Sequence, residues 1–162
     1  MKKITIAIIL SMFFGNIFSQ EDNAKNDNGI RKNAIYLELG GNALYYSVNY
    51  DRVFSFSKIV HSSLRVGFFT TPEIGSGYNT HVFPLEANLL LGKENNFFEL
   101  GVGQSIWVES GGYSDNIDSY STFRLGYRHI SDKGLMVRTG IVPIIQDDDA
   151  MIWVGLGIGY AF

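Results

Sequence analysis

The chain has 162 residues, of which 46% are hydrophobic, 14% aromatic and 18% charged, with a formal net charge of −3. That length is one domain of ordinary size, the apolar content excludes disorder over most of it, and the mild acidity excludes the basic surface a nucleic-acid binder needs. The absence of cysteine excludes a disulfide framework, a thiolate nucleophile and Cys-based metal centres, while abundant glycine and aromatics with few prolines form a β composition.

Residues 1–19 place Lys2 and Lys3 before an apolar run from Ile4 to Phe14 and a small residue at Ser19, the three-part pattern of a secretory signal peptide. The run is too short for the roughly 20 residues of a membrane-spanning helix. Cleavage after Ser19, where Ile17 is a poorer match to a small-x-small site, removes two lysines and takes the charge from −3 to −5. No cysteine follows the run, which excludes a lipid-anchored lipoprotein. Residues 20–33 (QEDNAKNDNGIRKN) have almost no apolar content and are expected to form a flexible polar tail.

From residue 34 onward the apolar residues alternate with period 2, the signature of strands with two unlike faces. Segment one, near 34–41, sets Ile35, Leu37 and Leu39 against Tyr36, Glu38 and Gly40. Segment two, near 43–53, sets Leu44, Tyr46, Val48 and Tyr50 against Tyr45, Ser47, Asn49 and Asp51. Segments three to seven, near 62–70, 80–92, 96–108, 119–130 and 134–145, repeat the pattern, with Arg65, Glu86, Glu99, Arg124, Arg128 and Arg138 opposite the large apolar residues. The last segment is the clearest: Ile152, Val154, Leu156, Ile158, Tyr160 and Phe162 alternate with Trp153, Gly155, Gly157, Gly159 and Ala161. Turn compositions separate the segments at 40–42, 54–61, 71–79, 93–96, 109–118, 131–134 and 146–149. The expectation is eight strands and no helix beyond the signal.

A soluble barrel would turn its large apolar residues inward and its charges outward. Here the polar face carries four acids and four arginines, Glu38, Asp51, Arg65, Glu86, Glu99, Arg124, Arg128 and Arg138, interspersed with glycine. Such a face can close as the packed interior of a narrow barrel, each buried charge beside an opposite one. The other face is an aliphatic and aromatic band suited to lipid, and segments of about 10 tilted residues span an outer membrane's apolar height. Aromatics at segment ends (Tyr50, Phe54, Phe56, Phe97, Tyr127, Tyr160, Phe162) suit interfacial girdles. Gln104 on the apolar face, and Pro84 and Pro143 within strands, are the departures, tolerable near an interface or a bulge. The fold class is therefore all-β, an eight-stranded antiparallel up-and-down transmembrane β-barrel over 34–162.

The stretches YLELGGNALYYSVNYDRVF (36–54), LGKENNFFELGVG (91–103), LGYRHISDKGLMVRTGIVP (125–143) and the ending WVGLGIGYAF resemble the small outer-membrane β-barrel proteins common in Bacteroidetes. The resemblance implies a fold and a compartment, the outer membrane of a Gram-negative envelope, without an assigned activity. It also implies that Tyr160 and Phe162, the terminal aromatics, act as the signal read by the barrel-assembly machinery.

The segment His129-Ile130-Ser131-Asp132-Lys133-Gly134 resembles the His-x-Ser-Asn-x-Gly run of outer-membrane lipid A deacylases, which would use an imidazole to activate a hydroxyl. With periplasmic termini, however, this turn faces away from the lipid A leaflet, and Asp132 replaces the Asn. The acids Glu109, Asp115, Asp118, Asp147, Asp148 and Asp149 fall in loops without EF-hand spacing, and His61, His81 and His129 lack paired metal-ligand spacing. No phosphate-binding loop is present, and no cofactor or metal is expected. The expected function is a non-enzymatic, monomeric outer-membrane barrel with a structural, envelope-integrity or surface-interaction role, contacting outer-membrane lipid and lipopolysaccharide. The alternatives are a lipid A-modifying enzyme using His129 and Ser131, and a soluble periplasmic ligand-binding barrel.

Overall fold

A computed structural model of the protein describes residues 30–71, 79–111, 116–147 and 149–162. The proposed signal peptide, most of the polar tail, Asp115 and Asp148 lie outside the described residues. Eight strands follow in order: β1 Asn33–Gly40, β2 Tyr46–Ser55, β3 Val60–Thr71, β4 Asn79–Lys93, β5 Asn96–Ser110, β6 Asn116–Ile130, β7 Leu135–Gln146 and β8 Asp149–Ala161. Each pairs antiparallel with its sequence neighbour, and β1 pairs with β8 from Ala34↔Ala161 to Gly40↔Gly155, which closes the barrel. The up-and-down order gathers the β1–β2, β3–β4, β5–β6 and β7–β8 connections at one end, the loop end. The remaining turns and the described chain termini lie at the other, the terminal end.

Alternation decides which side chains go where. On β8 the odd-numbered glycines 155 and 157 are buried, whereas Ile152, Val154, Leu156, Ile158 and Tyr160 keep 53–74% of their surface exposed. The inversion holds around the sheet. Leu37, Val48, Leu64, Leu85, Val102, Leu125 and Ile141 all point outward, while Glu38, Asp51, Arg65, Glu86, Glu99, Arg124, Arg128 and Arg138 of the alternate face are buried inside.

Three apolar and polar layers fill the interior. At the terminal end Ile30, Ala34, Tyr36, Val53, Leu90, Phe97, Ile130, Met136 and Ala161 form one buried cluster. At the loop end Ala43, Phe69 and Val82 form another, and Tyr120, Val142 and Ile144 a third, with Trp107 packed against both. The charged residues lie between.

Several expectations change. The segment expected as a strand over 43–53 begins only at Tyr46, and a 3-10 turn, Gly41–Ala43, precedes it. Gly40 and Gly41 have φ of 69° and 66°, and Leu44 has 71°, so the chain enters the left-handed region that glycine tolerates and turns into the barrel. Tyr45, expected inside, is exposed and stacks on Phe69 at 5.7 Å. Phe97, expected in an outer girdle, is buried inside, edge-on to the His61 ring at 5.6 Å, because it shares the parity of Glu99. Residues of turn composition join the strands at the loop end, where Glu109 pairs with Asn116 and Gln146 with Asp149, since a neighbouring strand supplies the ladder partners. At the other end of the chain, Ile30 is buried, the Lys32 carbonyl accepts from the Val53 N–H, and β1 starts at Asn33.

Neither in-strand proline makes a bulge. Pairing stands at Val66↔Leu85 and again at Phe69↔Val82 around Pro84, and at Thr122↔Ile144 and Leu125↔Ile141 around Pro143, with the register unchanged. The outward Gln104 sits opposite Ser121 and accepts its hydroxyl at 3.1 Å, so its side-chain carbonyl is satisfied within the sheet.

The closing seam can be tested from both sides. Phe162 donates its N–H to the Asn33 carbonyl and accepts the Asn33 N–H. A Cβ at Gly159 would run into the Ile35 carbonyl oxygen and the Tyr36 side chain. Deleting Phe162 is expected to lower the amount of folded, heat-modifiable barrel on unboiled gels, and Gly159→Ala to lower it further. Wild-type amounts in both variants would contradict closure between β1 and β8.

Candidate functional site

The interior charges come from seven strands: Glu38 from β1, Asp51 from β2, Arg65 from β3, Glu86 from β4, Glu99 from β5, Arg124 and Arg128 from β6, and Arg138 from β7. All eight side chains are 0–1% exposed. Among the described residues they form eight ion pairs in one connected chain. Asp51 holds Arg128 at 2.9 Å, and Arg128 reaches Glu99 at 2.9 Å. Glu99 also takes Arg138, which meets Glu86 at 2.9 Å. Glu86 then meets Arg65 at 3.4 Å and Arg124 at 3.2 Å, and both arginines converge on Glu38 at 2.5 and 2.7 Å.

The formal charges cancel, and each placement has a local reason. Arg128 and Arg138 stand directly opposite each other across β6 and β7, an arrangement that repels by itself. Glu99 Oε1 accepts from both guanidinium groups and so offsets that repulsion. Tyr36 adds its ring beneath Arg65 and Arg138, at 5.7 and 5.2 Å, and its hydroxyl accepts from Arg138. β8 contributes space in place of charge: a side chain at Gly155 would meet Glu38 and Arg124, and one at Gly157 would meet Arg138.

The inward 3-10 turn covers this network at the loop end. Asn42 Nδ2 donates to Glu86 Oε2 at 2.5 Å and to Thr122 Oγ1 at 2.8 Å, while its Oδ1 accepts from Arg124 Nη2 at 2.9 Å. Its backbone carbonyl accepts the Ser105 and Tyr120 hydroxyls at 2.8 and 2.7 Å. Trp153 Nε1 pins the turn from outside through the Leu44 carbonyl at 2.7 Å. With all eight side chains of the network almost fully buried, the middle of the barrel is a packed layer among the described residues.

Other candidate groups stay apart. His129 Nδ1 lies 2.8 Å from Asn96 Oδ1, which also accepts the Tyr127 hydroxyl at 2.5 Å. The Ser131 hydroxyl oxygen accepts the Leu135 N–H at 2.9 Å and closes the β6–β7 turn. No hydrogen bond joins His129 to Ser131. His61 is buried with Nδ1 on Ser55 at 2.8 Å, and His81 stacks on Phe68 at the loop end. No group of three His, Cys, Asp or Glu capable of holding a metal ion occurs among the described residues. Tyr160 is exposed on the outer face and Phe162 half-buried at the seam. Asn42 and Tyr36 were not legible as site residues: one sits in a turn-like GGN, and the other differs from neighbouring aromatics only in parity.

No family model matches the chain, and no curated protein sequence does. Solved structures do resemble it. The N-terminal β-barrel domain of Pseudomonas aeruginosa OprF aligns with a TM-score of 0.55 at 10% identity, covering 81% of this chain and 96% of that one. Ail, the attachment invasion locus protein of Yersinia pestis, aligns in complex with the heparin analogue sucrose octasulfate with a TM-score of 0.51 at 12% identity, covering 81% and 98%. Ail in a phospholipid bilayer nanodisc aligns with a TM-score of 0.54 at 10% identity, covering 81% and 99%. At these identities the likeness is one of fold.

Two substitutions test the interior. Arg138→Ala leaves Glu99 and Glu86 each short of a partner in a dry core and is expected to cost about 3–5 kcal/mol, against roughly 0–1 kcal/mol for Asp147→Asn on the exposed rim. Denaturant unfolding in detergent micelles reads both, and equal midpoints would contradict a buried network. Asn42→Ala removes the amide bonds to Glu86, Thr122 and Arg124 but keeps the backbone carbonyl. It is expected to cost about 1–3 kcal/mol in the same assay.

Proposed function

We propose that the protein is exported and resides in the outer membrane as a monomeric, non-enzymatic β-barrel with a structural, envelope-integrity or surface-interaction role. The observation that carries this reading is a closed barrel whose outer face is a continuous apolar surface and whose charges are sealed inside. In water such a surface would drive aggregation, whereas in lipid it is the favourable side, and a closed sheet satisfies every ladder group without water. A soluble ligand-binding barrel needs the opposite arrangement. Phe54, Phe56, Tyr127 and Tyr160, all exposed near the terminal end, suit one interfacial girdle. The signal-like residues 1–19 and the terminal aromatics Tyr160 and Phe162 support export and recognition by the barrel-assembly machinery.

Among small envelope barrels, the resemblance to those of Bacteroidetes and the fold of OprF and Ail both fit this role. The lipid A-modifying alternative finds no support in the separate bonding of His129 and Ser131. With periplasmic termini, the loop end faces outward and meets lipopolysaccharide. The polyanion found with Ail is not part of this reading, since the four loop-end connections contain no lysine or arginine.

Cell fractionation tests the reading. The mature protein is expected to begin near Gln20 and to stay with outer membranes through a carbonate wash. Release into the soluble fraction, or an intact Met1 on amino-terminal sequencing, would overturn it.

A further inference from the structure

Above the inward turn, the loop end holds a second concave feature that the barrel's closure does not use. A half-enclosed cavity of about 240 Å3 is lined by Leu44, Trp107 and Tyr120 together with Glu109, Asp118 and Gln146. Trp107 and Glu109 share one face of β5, and Trp107 stands directly opposite Asp118 of β6. Both aromatic side chains already spend their polar atoms: Trp107 Nε1 donates to Glu109 Oε1 at 3.2 Å, and the Tyr120 hydroxyl donates to the Asn42 carbonyl at 2.7 Å. Tyr120 is buried at the floor of the recess, so the aromatic surface left to an occupant is that of the partly buried Trp107. Among the described residues the carboxylates meet neutral donors, Glu109 the indole and Asp118 the Gln146 amide at 2.9 Å and the Ser119 N–H at 2.7 Å.

The charge of the whole molecule points the same way. Outside the interior network, the lysines and arginines from residue 30 onward are Arg31, Lys32, Arg52, Lys58, Lys93 and Lys133, and every one belongs to the terminal end. The loop end carries Glu109, Asp118, Asp147 and Asp149 among the described residues and no lysine or arginine to balance them, His81 lying on the outer face against Phe68. The core neutralises each acid with an arginine, yet the mouth leaves its acids uncompensated around an aromatic floor. Aromatic faces beside carboxylates in a recess are the chemistry that holds an ammonium or guanidinium group, and the field of the acidic end concentrates such cations near it.

We propose that this loop-end cavity is a binding site for an organic cation, an ammonium or guanidinium group seated on Trp107 above the buried Tyr120 and paired with Glu109 and Asp118. The site goes beyond the envelope role, and its test on purified protein does not depend on that role.

The experiment is isothermal titration calorimetry of the full mature barrel in a maltoside detergent, since phosphocholine detergents carry the proposed ligand group themselves. Choline and arginine amide are titrated alongside the uncharged tert-butyl isostere of choline, calcium chloride, and a short arginine-bearing peptide. Saturable binding of the organic cations, absent for the neutral isostere and weakened at least about tenfold in Glu109→Gln/Asp118→Asn, is the expected result. Heat-modifiability on gels verifies that the double variant is folded; if it is not, the exposed Asp118→Asn alone serves, with the same direction of change. Tighter binding of the peptide than of choline identifies a protein side chain as the cation's source, and the reverse order identifies a free small molecule; either carries the proposal. No saturable heat, equal binding of the neutral isostere, an unchanged affinity in the folded variant, or calcium displacing the organic cations at equal concentration would overturn it.

Discussion

Burying charge in a space with no water is the constraint on which the rest of this barrel depends. A guanidinium removed from solvent costs several kcal/mol unless carboxylates and polar neighbours take over its hydration, and here four of them share one narrow interior. The solution is a single branched network that joins residues far apart in the chain: Arg124 reaches Glu38 across 86 positions and Arg128 reaches Asp51 across 77. Strand register, the glycines of β8 and the inward turn all serve that network. A slip of one residue anywhere would turn a charge outward and an aliphatic side chain inward.

The outer surface follows the complementary rule. Several of its polar side chains find partners within the sheet: Gln104 with Ser121, and Tyr127 and His129 with Asn96. A polar group satisfied by its cross-strand neighbour is tolerable at an apolar boundary, where one left alone would cost several kcal/mol. The pair His129 and Ser131 therefore reads as turn and interface chemistry: one fastens β6 to β5, and the other fastens the start of β7.

Period-2 alternation made the strands and their two faces legible, because parity is a purely local property of the chain. Arg124, Gly126 and Arg128 declare a common face in any extended segment, and Ile152 to Tyr160 declare the opposite one. What parity does not carry is a change of direction. Gly40 and Gly41 looked like the tip of a hairpin, and nothing local says that the intervening turn folds inward so that Asn42 can complete the coordination of Glu86 and Arg124. Phe97 failed for a related reason: at a strand end, an aromatic ring has the same composition whether it faces a girdle or the core, and only the register from Glu99 decides. Which carboxylate meets which arginine is likewise set by how the sheet curls, a long-range event that no window of the sequence contains.

β8 enters the barrel with glycines where its neighbours carry charges, and none of the eight ion pairs involves it. A curled sheet of the first seven strands thus already contains every partner needed to neutralise its interior, and β8 adds ladder bonds that close the wall. The order of assembly and the order of opening follow from that asymmetry. Electrostatic compensation can be complete while the seam is still apart, and β8 can be withdrawn without separating any opposite charges. The molecule is in this sense a pre-compensated sheet with a closing stave whose withdrawal breaks ladder bonds but no ion pair.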